Sequence, residues 1–291
     1  MTAWKSSRRM MLAALGGGAI ASYSAAQAGS RVMMLTARSR PVQADGKVTA
    51  REETLRWKPS ETAIIICDMW DNHYCQNAAR RVKAMAPRMN QVINAARGIG
   101  VTITHAPSGT MDVYAGTPQR ARLVGAPKVT PPVAILKSCP LDSSREGALP
   151  VDDATQPCDD QTVGPAVRRY NRENELLEIA AEDGISDSGE EIYNYFRQKK
   201  IQNVALMGVH TNMCVLGRSF GIRQQVRLGM NVVLARDLTD AMYDPRQPPY
   251  VSHARGTELV VEHIEKYWCP SILGRDLTTV IAGSDGPAEA K

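Results

Sequence analysis

The chain has 291 residues and a formal net charge of +5. Lys5, Arg8 and Arg9 supply three of those charges and residues 1–28 hold no acid, so the remainder carries 5 − 3 = +2, with basic and acidic residues interleaved. That balance excludes an electrostatic footprint for phosphates, and with it a nucleic-acid partner.

The basic start is followed by an apolar run from Met10 to Ala21 and by Ala26-Gln27-Ala28, the small-x-small pattern of a cleaved export signal. Residues 1–28 therefore read as a signal peptide. Ser7-Arg8-Arg9-Met10-Met11-Leu12 has the form of a twin-arginine signal, which carries folded proteins to the periplasm. No later stretch approaches the ~18 apolar residues that cross a bilayer, so no membrane contact is expected after cleavage.

Residues 29–57 read as an irregular or hairpin-forming extension, 58–280 as one domain and 281–291 as a mobile tail. Thr62 to Cys67 is an apolar, β-branched run that fits a strand buried on both faces, closed by Asp68. A helix is expected over Ala78 to Arg97, with Pro87 opening a second segment. Val101 to His105 is the next strand. Ala106 to Arg169, rich in Pro, Gly, Asp and Ser, is a long loop insertion of the kind that usually serves function.

Leu176 to Ile179 then reads as a strand, Ser188 to Gln198 as a helix and Val204 to Gly208 as a second buried strand. Cys214 to Leu228 is helical, Asn231 to Ala235 a strand, Gly256 to Tyr267 a helix and Ser271 to Leu273 a last short strand. The alternation implies an α/β fold: a single doubly wound domain with a mainly parallel sheet and helices on both faces.

Reactive groups in such sheets gather at the carboxyl ends of the strands. Asp68 closes one strand there, and Gly208 to Cys214 leads from another strand into a helix start. A cysteine in a first helical turn feels the positive end of the helix dipole, which favours the thiolate, and the free N–H groups nearby are oxyanion donors. Cys214 is thus the nucleophile candidate and Asp68 its acid/base partner. Cys67, at the end of an apolar run, reads as an inert small hydrophobe.

The six cysteines, at 67, 75, 139, 158, 214 and 269, include no C-x-x-C spacing. Cys139 and Cys158, both in the loop-rich stretch, are a candidate pair for one disulfide, with connectivity left open.

Thr62 to Asp71 and Gly208 to Gly217 resemble the two signature segments of the isochorismatase-like cysteine hydrolases, which include nicotinamidases and N-carbamoyl amidohydrolases. The resemblance spans roughly 58–275. It implies a six-stranded sheet and an Asp-Lys-Cys triad working through a covalent cysteine intermediate, with Asp68 and Cys214 in the first and last places. It also implies a cis peptide at Val209-His210, an oxyanion hole from the backbone N–H groups of His210 and Cys214, and self-association.

The triad lysine has no counterpart: the matching position is Ala181, followed by Glu182 and Asp183. Lys137 and Arg168, on the long loop, are the cations available to replace it. For metal, Asp71 and His73 match part of the nicotinamidase ligand set, but Thr104-His105-Ala106-Pro107 lacks the rest, so neither metal nor cofactor is expected. Trp70 and Tyr114 are candidates for an aromatic pocket wall, His73 and His105 for the pocket lining, and Arg218 for a contact to an anionic substrate. The function expected is hydrolysis of a small amide, carbamoyl or related substrate. The other reading, motivated by the missing lysine, is an exported small-molecule binding protein or pseudoenzyme.

Overall fold

The computed structural model describes residues 31–152 and 157–282. The signal peptide expected at 1–28 and the residues beyond 282 lie outside the described residues. Among the described residues, nine strands form one sheet: β1 (Arg31–Ser39), β2 (Arg51–Trp57), β3 (Thr62–Cys67), β4 (Thr102–Ala106), β5 (Gly184–Ile185), β6 (Asn203–Val209), β7 (Asn231–Asp240), β8 (Ser271–Ile272) and β9 (Ile281–Ala282). Their order is β2-β1-β8-β7-β6-β3-β4-β5, with β9 beside β1.

All pairings from β8 to β5 are parallel, which gives the six-stranded core that was expected. The strand count is larger because residues 29–57 do not stand apart. They contribute the antiparallel hairpin β1-β2, and β1 pairs with β8 and β9, so the extension continues the sheet. Residues 281 and 282, expected in a mobile tail, are the β9 partners of β1.

The helices are α1 (Gln76–Gly98), α2 (Pro118–Val124), α3 (Gly189–Gln198), α4 (Ile222–Arg227) and α5 (His253–Tyr267). β3 shows why both faces need cover: every residue in it is buried, and the alternation sends its side chains to two separate cores. Ile64 and Ile66 pack with Val82, Met89 and Ile93 of α1 and with Met33 and Leu35 of the hairpin. Ala63 and Ile65 pack with Ile192 and Phe196 of α3, Ile222 of α4 and Ile264 of α5. This is the doubly wound arrangement.

Three local expectations are corrected. Pro87 lies inside α1, which runs on without a break. An interior proline costs a helix about 3 kcal/mol, and the burial of Val82, Ala86, Met89 and Ile93 along one stripe holds the helix together across it. Leu176 to Ile179 is loop, because its N–H groups are taken by Asn174 and Asn90, and the edge strand is β5. The helix after Cys214 is two pieces, a single wide turn at Thr211–Val215 and then α4, separated by a turn at Arg218–Gly221.

Between Leu206 and Gly208 the register of β6 against β7 jumps, so that Gly208 pairs with Thr239 and Val209 with Asp240. Gly208 has φ 107°, and a Cβ there would sit 2.1 Å from the Cys67 carbonyl oxygen, so only glycine allows β6 to approach β3 at this point. Thr239 donates to the Gly208 carbonyl at 2.7 Å and meets Thr211 at 2.7 Å. The start of the Cys214 turn is thereby tied to the neighbouring strand.

Candidate active site

Asp68 follows β3 and Cys214 follows β6, adjacent parallel strands, so both emerge at one carboxyl edge. Asp68 is fully buried and has φ 49°, a left-handed conformation that a non-glycine residue holds at a cost of about 1 kcal/mol or more. The kink turns its carboxyl back across the sheet edge. Oδ1 accepts the Ser108 N–H at 2.7 Å, Oδ2 accepts from Arg218 Nε at 3.2 Å, and the Cys214 thiol hydrogen-bonds to the same carboxyl.

The cation absent at Ala181 is therefore supplied by Arg218. Its Nη2 also lies 3.2 Å from Asp68 Oδ2. Neither Lys137 nor Arg168 reaches the carboxylate: Lys137 lines a cavity beside Arg218, and Arg168 stands over the Tyr170 ring at 5.1 Å. Ala181 is exposed at the far side of the loop, where its carbonyl accepts from Arg122. The legible signal was spacing: Arg218 is four residues after Cys214 and its N–H donates to the Cys214 carbonyl at 3.0 Å, which puts both side chains on one side of the turn. Arg218, expected to contact an anionic substrate, pairs with Asp68 and also borders two cavities beside it.

Burial raises the Asp68 carboxyl above the ordinary carboxylate value, and Arg218 with the Cys214 thiol pulls it back. Burial, then the Asp68 charge, pushes the Cys214 thiol well above its ordinary value, against the pull of Arg218. A helix start alone predicts a depressed thiol; desolvation and the adjacent carboxylate outweigh it here. The His210 N–H, directed at the sulfur, works toward the thiolate. Two acids and one fixed cation in a buried site hold one proton between them, because that count leaves the trio neutral.

The peptide Val209-His210 is cis, as the resemblance implied. His210 and Cys214 both border a cavity of ≈ 250 Å³ with Trp70, His73, Tyr170 and Met213. Trp70 is held by a hydrogen bond from Nε1 to the Ser108 carbonyl and stacks on Tyr170 with ring centroids 4.1 Å apart. Burial lowers His73 to about 4 and His210 to about 3, so both rings are neutral near pH 7. Among the described residues, His210 Nε2 is buried without a hydrogen-bond partner. A wider cavity, ≈ 660 Å³, opens on the other side of Cys214 toward Cys139, Leu149 and Arg223.

Two candidates fall outside both cavities. His105 is fully buried between Glu173 at 2.7 Å and Asp183 at 3.1 Å, in an ion network that ties β4 to the loop. Tyr114 accepts the Glu173 N–H at 2.9 Å and anchors the same loop. Asp71 likewise accepts N–H groups of Asn171 and Arg172, and His73 Nδ1 accepts the Cys75 N–H, so both are engaged in fixing backbone. Ser108 and Tyr170 were missed: Ser108 stands two residues past the end of β4, beside β3, and Tyr170 is brought in by the long loop.

Cys139 and Cys158 do not face each other. Cys139 bonds to Gln224 at 3.2 Å, and the neighbour of Cys158 is Cys75. In the structure no disulfide joins any of the six cysteines, all of which lie among the described residues.

No family model and no curated protein matches the chain. Among solved structures it is similar to a cysteine hydrolase from Pseudomonas syringae pv. phaseolicola, at 16% identity over 77% of this chain and 96% of that one, with a TM-score of 0.46. It is also similar to an isochorismatase from Pseudomonas putida (12% identity, 75% and 91% covered, TM-score 0.45). An isochorismatase-like hydrolase from Alkaliphilus metalliredigens gives 13% identity, 75% and 94% covered and a TM-score of 0.42. At such identities the functional reading rests on the residues of this chain.

Proposed function

We propose that this chain is a cysteine-dependent hydrolase of a small amide, carbamoyl or related C–N bond, acting outside the cytoplasm. The observation that carries the reading is the buried Asp68 carboxyl in contact with both the Cys214 thiol and the Arg218 guanidinium. These groups meet beside a cavity that Cys214 itself borders.

In the reaction, Asp68 takes the thiol proton as sulfur attacks the carbonyl carbon, and the negative charge moves to the carbonyl oxygen. Backbone N–H groups of His210 and Cys214 are the oxyanion donors. Asp68 then gives its proton to the leaving nitrogen, the C–N bond breaks and the amine departs, leaving a thioester. Water attacks that carbonyl while Asp68 accepts its proton, sulfur leaves, and the proton returns to Cys214. Arg218 keeps the site neutral at each stage. The unpartnered His210 Nε2 is placed for a polar group of the substrate.

With a cation in contact with Asp68, the missing lysine no longer favours a binding protein or pseudoenzyme. Cys214→Ala is expected to abolish turnover across a panel of small amides and carbamoyl compounds while shifting Tm by no more than a degree or so, the ordinary scale for a change that removes only one sulfur. Turnover retained in that variant refutes the mechanism.

A further inference from the structure

Cys75 is the residue that opens α1, Cys158 lies in the long loop, and both are buried. Their sulfurs and a carboxylate oxygen of Asp160 all lie within 4.8 Å of one another. The two cysteines pack with Ala78 and Met242 in a small cluster of their own. Two sulfurs and a carboxylate are also the donor types of a soft-metal site, so the neighbours decide between the readings. Asp160 is committed to the N–H groups of Gln76 and Asn77, at 2.8 Å each, and Asp159 to Arg81 at 2.8 and 3.1 Å. A cation here would compete with Arg81 and face the positive end of α1. The Cys75 thiol donates to Asp159 and Asp160 at 3.6 and 3.7 Å, long contacts that a bond to the Cys158 sulfur would replace.

We propose that Cys75 and Cys158 form a disulfide that staples the long loop to the start of α1, directly behind the cavity that Cys214 borders. The coupling to that cavity is short. His73 and Tyr74, immediately before Cys75, line it, as does Met242. The chain after Cys158 carries Val167, Arg168 and Tyr170 to the same cavity. A bond at this point fixes the loop that builds the pocket, and an exported protein meets the oxidising surroundings in which such bonds persist.

Because both thiols are buried in the folded chain, the bond forms after export, when local opening exposes them, by exchange with a small-molecule or protein disulfide. One cysteine thiolate attacks a sulfur of that disulfide and expels a thiol. The second cysteine thiolate attacks the mixed bond and expels the other thiol, so that two protons and two electrons leave with the oxidant.

The test uses the purified full chain, equilibrated in oxidised and reduced glutathione, then denatured, alkylated and mapped by mass spectrometry. A Cys75–Cys158 linked peptide is expected, with the other four cysteines alkylated. Reduction should lower Tm by on the order of 5 °C or more. A Cys75→Ser, Cys158→Ser protein should show no response to reductant. Recovery of both cysteines alkylated from the oxidising buffer, linkage of either to another cysteine, or uptake of one equivalent of zinc that the double variant loses would each overturn the proposal. None of these outcomes depends on whether Cys214 is a nucleophile.

Discussion

Replacing Arg218 by Gln leaves a buried carboxylate beside a thiol with no cation to balance it, a change that raises both acids further. Turnover should fall by on the order of 100-fold. Arg218→Lys, which keeps the charge but loses the planar fork, should recover part of it. The readout that separates a positioning role from a merely structural one is the pH dependence of Cys214 alkylation. That profile should move to higher pH in Arg218→Gln and stay near wild type in Arg218→Lys. An unchanged profile in the Gln variant would mean that Arg218 does not act on the pair. That Asp68 and Cys214 lie at one sheet edge was legible in the sequence, because a strand-end acid and a cysteine where a strand runs into a helix start are local patterns. The direction of the thiol shift was not, since it depends on burial and on a carboxylate 146 positions away in the chain (214 − 68).

At the level of elements, the buried strands were legible wherever an apolar run left no other reading, as in β3 and β6. The errors came where long-range contacts decide: Pro87 inside α1, the loop at Leu176 to Ile179, and the hairpin β1-β2 that joins the sheet. His105 belongs to this scale, since it ties β4 to the loop carrying Glu173 and Asp183. Burial lowers its affinity for a proton, but the two carboxylates win and raise it to about 9. The folded value lies above the unfolded one of about 6.5. The stability from these pairs is therefore complete below about pH 6.5 and is lost as the pH rises through about 9. His105→Gln should lower Tm at pH 6 and flatten the decline of Tm between pH 6.5 and 9.5. A wild-type Tm that does not fall across that window, or a variant that falls just as steeply, would count against the charged network.

For the whole molecule, one sheet carries the hairpin and the edge bearing Asp68 and Cys214 together, and the long loop wraps that edge to supply Ser108, Arg168 and Tyr170. No described helix is long and apolar enough to cross a membrane. We propose that the leader delivers the folded chain to the periplasm. Changing Arg8 and Arg9 together to Lys should leave the protein in the cytoplasm at full length, whereas the wild type should appear in the periplasm beginning at Gly29. Equal processing of both proteins would exclude the twin-arginine route.

The central step is removal of the Cys214 proton by Asp68 as sulfur attacks carbon. A stopped-flow burst with p-nitrophenyl acetate, followed by mass mapping of the quenched chain, measures that step directly. One p-nitrophenolate per chain should appear in the burst, with one acetyl group on Cys214, and Asp68→Asn should lose the burst while keeping its fold. A burst of wild-type rate in Asp68→Asn, or an acetyl group on any residue other than Cys214, would contradict it.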